Sequence, residues 1–132
     1  MILYSFPSIS DVNAKILILG TMPGVQSLQA GEYYGNNRNH FWKILFTLFE
    51  EPFSTDYSTK KELLLQHKIA LWDVLQACKR EGSLDSAIEE EVPNDFTGFL
   101  AAHPAIEHIF FNGQKAAAYF KKYVKTAKAY QL

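Results

Sequence analysis

The chain has 132 residues, a length typical of one domain that builds its hydrophobic core without disulfide bonds. Its composition is that of an ordinary globular protein, and its single cysteine excludes an internal disulfide and suits a reducing compartment. A net charge of −1 argues against unspecific coating of nucleic acid, and no segment has the length of a membrane span or the pattern of a signal peptide. We therefore expect one domain over residues 1–132, in a monomeric, cytoplasmic protein with no membrane partner.

Apolar segments separated by polar, glycine and proline turns predict an alternation of strands and helices. In chain order the predicted elements are a strand (Ile16–Leu19), a helix (Phe41–Phe49), a second helix (Thr59–His67), a strand (Ile69–Val74), a brief helix after Ser83-Leu84-Asp85, a helix from Asn94 to Ala102, a strand (Ile106–Phe111) and a helix (Gln114–Val124). Asn39 or His40 is placed to cap the first helix, Ser58 or Thr59 the second, and Asn94 the helix that ends at Ala102. This order is typical of an α/β fold with a mostly parallel sheet covered by helices.

Three polar turns follow the predicted strands: Gly20–Gly24, Trp72–Val74 and Asn112-Gly113. Ligands of parallel α/β sheets bind beyond the carboxyl ends of the strands. We therefore expect the functional site at the edge where these three turns meet.

The turn "GTMPG" has glycines that let its backbone approach a ligand, and its N–H groups could hold an anion or a base carbonyl. It lacks the Gly-Lys-Ser/Thr of a P-loop and the glycine spacing of a dinucleotide site. Taken alone, it is better explained as a turn that ends a strand.

Single residues near these turns are ambiguous on their own. Asn39 either orients a water molecule or only caps a helix. Phe41 and Trp42 lie about 100° apart on a helix, so we expect one in the core and the other free to stack on a flat ligand. Asp73 is costly to bury unpaired and must lie in the pocket or bind local N–H groups. Asn112 is explained by turn chemistry alone.

Charge is distributed unevenly along the second half of the chain. Seven acidic residues and no Lys or Arg lie from Glu81 to Gln114, whereas the segment from His108 to the end has five lysines and no acid. Those lysines form either a basic flank or an ordinary solvated helix face.

Several motifs in the same order resemble the uracil-DNA glycosylase superfamily, and most closely its hypoxanthine-DNA (deoxyinosine) glycosylase branch. They are "GTMPG", "SLQAGEYY", "RNHFWKILF", "ALWDVLQACKREGSLDSAI" and "IFFNGQKAAAYF". The resemblance implies a three-layer α/β sandwich with a mostly parallel central sheet flanked by helices. It also implies a monofunctional glycosylase that flips a deaminated base (hypoxanthine, uracil or xanthine) out of DNA and hydrolyses its N-glycosidic bond in base-excision repair, without metal or other cofactor.

The resemblance also assigns residues. Many relatives carry a catalytic Asn at the position of Met22, but the hypoxanthine branch is similar in lacking it and is thought to use the Asn that corresponds to Asn39. Phe41 matches the aromatic residue that stacks on the extruded base, and Asp73 lies where relatives present groups to the base. The predicted base-binding set is Thr21, Met22, Pro23, Gly24, Phe41, Asp73 and Asn112. The predicted DNA-backbone set is Lys115, Lys121, Lys122 and Lys125.

Relatives continue after a segment like "AYQL" into a Pro-Ser-rich loop that enters the DNA minor groove. The chain stops at Leu132, so we expect it to be truncated and its activity in this form to need a test. An alternative is a non-catalytic α/β module that binds a nucleotide or nucleic acid in the same pocket.

Overall fold

The computed structural model describes residues 2–36 and 39–124. Six strands are present among them: β1 (Ile2–Tyr4), β2 (Ile16–Gly20), β3 (Ile69–Asp73), β4 (Leu75–Lys79), β5 (Glu89–Pro93) and β6 (His108–Phe111). The helices are α1 (Val25–Ala30), α2 (Phe41–Leu48), α3 (Tyr57–Gln66), α4 (Phe96–Ala102) and α5 (Gln114–Tyr123), with a 3-10 turn at Asp85–Ala87. None of the helices described could reach across a lipid bilayer.

The three predicted strands form a parallel sheet in the order β3-β2-β6. Ile16 pairs with Ile69 on one side and His108 on the other, so the strands start level with one another. Their carboxyl ends at Gly20 and Asp73 are therefore adjacent, and Asn112 follows at the end of β6, where its N–H donates to the Leu19 carbonyl at 2.8 Å. The predicted meeting of the three turns is confirmed.

Helices cover both faces of this sheet, as the three-layer prediction requires. Leu17 and Leu19 of β2 belong to a buried cluster with α4 and α5, whereas Ile16 and Ile18 pack on the opposite face against a cluster from α2 and α3. The alternation follows from the period of two along a strand. Both faces are apolar because both are buried.

A second, antiparallel sheet in the order β1-β4-β5 was not predicted from the sequence. It is joined to the parallel sheet directly, because β4 begins two residues after β3 ends. At the junction the Val74 N–H donates to the Gly20 carbonyl at 2.8 Å. In β4, Cys78 is buried and stands opposite Leu3 of β1.

Two predicted caps are wrong by one to three residues. Asp56, and not Ser58 or Thr59, caps α3: its side chain accepts from the Thr59 N–H at 3.1 Å. Asp95 caps α4 in place of Asn94. A carboxylate is a good acceptor for the first N–H groups of a helix, and the acid precedes the predicted position in α3 and follows it in α4. The Asn94 amide instead donates to the Asp73 carbonyl at 2.8 Å.

Candidate active site

A cavity of about 320 Å³ lies at the carboxyl edge of the parallel sheet. Its volume is at the lower end of the range for small-molecule sites, roughly 300–1,000 Å³. The turn after β2, the loops before α2, the junction after β3, the 3-10 turn and the end of β6 all contribute. Predicted site residues in its lining are Thr21, Met22, Pro23, Gly24, Asn39, Asp73 and Asn112, and residues not predicted include Tyr34, Ser83 and Asp85.

Gly20 makes the floor of the cavity possible. A Cβ at this position would lie 2.6 Å from Oδ1 of Asp73 and 2.9 Å from the hydroxyl of Tyr34. Both distances are shorter than real Cβ contacts allow. Glycine therefore lets the carboxyl and the phenol approach the strand end from two different elements, and any larger residue would displace one of them.

Asp73 is buried at the end of β3, with 3% of its surface exposed. Its Oδ2 has no hydrogen-bond partner among the residues that the structure describes. Burial raises the pKa of this carboxyl to about 7, with a further contribution from the nearby Asp85 carboxylate, while Arg80 opposes the rise. Asp73 therefore holds its proton over much of the range below neutrality, and a protonated carboxyl is a donor as well as an acceptor.

Two aromatic residues, Tyr33 and Tyr34, contribute to the lining, and Phe41 does not. The Tyr33 hydroxyl donates to the backbone carbonyls of Phe6 and Pro7. The ring of Tyr34 stacks on that of Phe41, with centroids 4.0 Å apart and planes 25° apart. Trp42 enters the core, as expected for one of the two neighbouring aromatics, and its indole N–H donates to the Tyr33 carbonyl at 2.8 Å. Phe41 thus lies behind Tyr34, one ring away from the cavity.

Tyr34 is held in an unusual state for a tyrosine. Its φ of 53° lies in the left-handed region, which costs a residue with a side chain of this size about 1–3 kcal/mol. Burial, and then the charge of Asp73, raise the pKa of its hydroxyl, while Asn112 opposes the rise. That hydroxyl has no hydrogen-bond partner of ordinary geometry within residues 2–36 and 39–124. The phenol is therefore protonated, and its buried hydroxyl lies between the strand end and Asp73, where no group holds it in a hydrogen bond of ordinary geometry.

Asn39 lies in the lining and also caps a helix. Its Oδ1 accepts from the N–H of Phe41, the first residue of α2, at 2.8 Å. The side chain is exposed, and its backbone N–H donates to the Asn36 carbonyl at 2.9 Å. The capping explanation is thus real, and it also fixes the amide at the rim of the cavity. Both roles can be held at once.

The turn after β2 presents both backbone and side chain to the cavity. Thr21 is buried, and its hydroxyl has no hydrogen-bond partner in the described part of the chain. Met22 is also buried and belongs to the hydrophobic cluster beneath the sheet, so it contributes apolar surface. Gly24 precedes α1, and a Cβ there would lie 3.2 Å from Oγ of Ser83. The turn is therefore packed tightly against the 80–85 loop.

Arg80 and Ser83 fix that loop to the turn, and sequence reasoning missed both. The buried Arg80 guanidinium donates from Nη2 to the Pro23 carbonyl at 2.6 Å and from Nε to the Gly82 carbonyl at 2.8 Å. The Ser83 hydroxyl accepts from the Val25 N–H at 2.8 Å. The available signal was the segment "CKREGSLDS", which lies inside one of the recognised motifs.

The predicted basic flank is only partly available. Lys122 pairs with Glu91 at 3.3 Å, and the Nζ of Lys115 lies 5.1 Å from the Tyr119 ring. Because α5 runs away from the cavity edge, Lys121 lies about 9 Å further along the helix than Lys115. Lys125 lies outside the described residues. The structure therefore leaves Lys115 as the lysine of this set closest to the cavity edge.

Metal ligands do not converge at the cavity or elsewhere in the described residues. No group of three His, Cys, Asp or Glu side chains there could hold a metal ion. The donor set of the cavity is instead made of one buried carboxyl, hydroxyls and amides. Such groups suit a neutral ligand with several hydrogen-bonding positions.

Comparison with known proteins gives three consistent findings. A family model described as the uracil DNA glycosylase superfamily matches residues 6–131. Proteins named hypoxanthine DNA glycosylase are 42% identical over 120 residues in Methanosarcina acetivorans (90% of this chain, 76% of that protein) and 40% identical over 115 residues in Methanosarcina barkeri (86% and 73%). The solution NMR structure of a proposed uracil DNA glycosylase from Methanosarcina acetivorans superposes with a TM-score of 0.82 at 41% identity, over 92% of this chain and 76% of that one.

Proposed function

Since the chain belongs to the uracil DNA glycosylase superfamily, we propose that it removes hypoxanthine from DNA by hydrolysing the N-glycosidic bond of deoxyinosine. The substrate is taken from the relatives that share 40–42% of its residues and are named for this base. One structural observation supports a base as the ligand: three residues that line one cavity, Thr21, Tyr34 and Asp73, each carry a buried polar side-chain atom without a hydrogen-bond partner among the described residues. A buried polar group without a partner is costly, and the edge of a base would supply one.

The target nucleotide must leave the duplex before it can enter the cavity. Extrusion costs a few kcal/mol and is cheapest at a mismatched or damaged pair. Deaminated bases pair poorly, so part of the selectivity comes from the DNA itself. Once extruded, the base needs a flat surface to replace the lost stacking, worth about 1–3 kcal/mol.

Tyr34 is the stacking surface in this proposal, and Phe41 supports it from behind. The resemblance assigned this role to Phe41, but Phe41 is not in the lining. Of the two tyrosines that are, Tyr33 is bonded to the Phe6 and Pro7 carbonyls, and Tyr34 stacks on Phe41. Tyr34→Leu should therefore weaken capture of the extruded base directly, whereas Phe41→Leu should act through the loss of its stack with Tyr34. The measurement is the affinity of each variant for a duplex with an abasic site, in the presence of free hypoxanthine. If Phe41→Leu lowers this affinity more than Tyr34→Leu does, Phe41 is the residue that stacks on the base.

Asn39 is the residue that orients the attacking water. As the bond stretches, positive charge develops on the sugar and negative charge on the base, and hydrogen bonds aimed at these charges accelerate cleavage. The amide sits at the rim, fixed by its own bond to the helix. Asn39→Ala should reduce single-turnover cleavage by about 10²-fold or more.

The capping role needs a matched control. Loss of the cap in Asn39→Ala would cost about 1 kcal/mol of stability, whereas Asn39→Ser keeps an oxygen that can cap the helix. We expect Asn39→Ser to unfold at the temperature of the wild type and still to lose cleavage. A stable, active Asn39→Ser variant would reduce Asn39 to a helix cap.

The assay that tests the function itself uses duplexes with a single deoxyinosine, deoxyxanthosine or deoxyuridine, treated with alkali after incubation. A glycosylase releases free base and leaves an alkali-labile site, whereas a non-catalytic binding module retains the intact strand. A duplex with guanine at the same position is the control. Both this chain and a C-terminally extended version should be tested, and binding without base release by either would refute the proposal.

A further inference from the structure

The carboxyl at the floor of the cavity is better suited to donating a proton than to binding a cation. Asp73 is buried and lines the cavity, and its Oδ2 has no partner among the described residues. Its side-chain oxygens are not paired with a Lys, Arg or His within salt-bridge distance in the described chain. A carboxylate left in this position would be strongly disfavoured. The acid form, by contrast, has one proton to give.

Resting on the proposed function, we infer that Asp73 is the general acid of the reaction and protonates N7 of the departing hypoxanthine. As the C1′–N9 bond breaks, its electron pair moves into the purine ring, and the Asp73 proton transfers to N7. The base then leaves as its neutral N7–H tautomer. Water forms the new C1′–O bond, and the proton that this water loses restores the acid form of Asp73 through solvent. Overall, one water molecule is consumed for each glycosidic bond that breaks and each neutral base that is released, and no further reactant is needed.

The groups around Asp73 keep its proton in place over the working range. Asp85 on the 3-10 turn is a like charge and raises the pKa of Asp73, whereas Arg80 at the end of β4 lowers it. From the loop before α2, the nearby Tyr33 and Tyr34 are neutral phenols, since burial keeps the pKa of each above its ordinary value. The Tyr33 hydroxyl donates to the Phe6 and Pro7 carbonyls and not to Asp73. The acid is therefore lost only as the pH rises through the pKa of Asp73, at about 7. Cleavage should decline above that pH.

Asn39 and Asp73 therefore have separate roles in the reaction. Asn39 at the rim acts on the water side of the sugar, and Asp73 at the floor acts on the leaving base. This division predicts a dependence on the base itself, because a purine has N7 and a pyrimidine does not. General acid catalysis contributes about 10²–10⁴-fold, so a substrate without N7 should lose about that much.

The experiment compares wild type with Asp73→Asn on duplexes that contain deoxyinosine or 7-deazadeoxyinosine. Asn has the shape of Asp but cannot transfer a proton. On deoxyinosine we expect Asp73→Asn to lower the single-turnover rate by about 10²-fold or more and to abolish the decline above neutral pH. On 7-deazadeoxyinosine the two proteins should cleave equally slowly, because the atom that accepts the proton is gone.

The controls separate the possible failures. Glu107→Gln removes an exposed carboxylate at the opposite edge of the sheet, beside the start of β6, and should cleave like the wild type. A wild type that leaves deoxyinosine intact refutes the proposed function, not the role of Asp73. With an active wild type, an Asp73→Asn variant that keeps a rate within about tenfold of it overturns the inference. The inference is also overturned if the wild type cleaves the 7-deaza substrate faster than Asp73→Asn does. Should Asp73→Asn fail to fold, a wild type that cleaves both substrates equally overturns it as well.

Discussion

Arg80 connects the cavity wall to the sheet, and its removal should destabilise the protein measurably. Its guanidinium makes two short bonds, to the carbonyls of Pro23 and Gly82. Hydrogen bonds from a charged donor contribute about 1.5–3 kcal/mol each. Gly82 is exposed, so water can replace that bond, whereas Pro23 is buried and its carbonyl would remain unsatisfied. For Arg80→Ala we therefore expect a loss of about 2–3 kcal/mol in the free energy of unfolding.

Urea unfolding with and without the substitution gives this number directly from the midpoint and slope. Arg80→Lys is the matched variant: it keeps the positive charge near Asp73 but cannot reach two carbonyls with one planar group. It should lose part of the stability and retain most of the charge effect on Asp73. A change below about 0.5 kcal/mol for Arg80→Ala, the size of an ordinary surface substitution, would refute the reasoning.

The remaining predictions concern charge and capping. Folded Asp73 binds its proton more tightly than the ordinary carboxyl with pKa 3.8, so wild-type stability should fall as the pH rises from about 4 to about 7, and Asp73→Asn should remove this fall in urea titrations at several pH values. Reversing Lys115 and Lys121 to Glu should reduce the salt dependence of DNA binding, measured by fluorescence anisotropy, more than reversing Lys122, whose charge is already paired. Asp56→Ala should lower the melting temperature of the protein, measured by calorimetry, because α3 loses its cap.

The parallel sheet could be predicted because its strands are short, continuous apolar runs between turn residues. Ile69–Val74 was predicted and Ile69–Asp73 is observed, a difference at the boundary only. The antiparallel sheet could not be predicted in the same way. β5 reads "EEEVP", and three consecutive glutamates disfavour a strand on intrinsic grounds. Pairing with β4 holds this segment extended, and that pairing is not visible in local sequence.

The site also has a part that could be predicted from the sequence and a part that could not. The turn after β2, the end of β3 at Asp73 and Asn112 were expected at one edge because parallel strands end there, whereas Asn39 was assigned to the site by the resemblance. Which aromatic ring faces the cavity could not be read from helical spacing, since Tyr34 reaches it from a loop with a left-handed backbone. Arg80 was missed because a single arginine in a sequence resembles a surface residue, and only the fold shows that it is buried.

The single cysteine can report on local opening of the folded protein. Cys78 is 1% exposed, belongs to the hydrophobic cluster that includes α4 and α5, and pairs through its strand with Leu3 of β1. A thiol reagent can reach it only when the surrounding structure opens, so the labelling rate in native buffer measures how often this part of the protein opens. Because β4 continues from the strand that ends at Asp73, DNA bound in the cavity should slow the labelling of the Cys78 thiol, although it does not contact that residue.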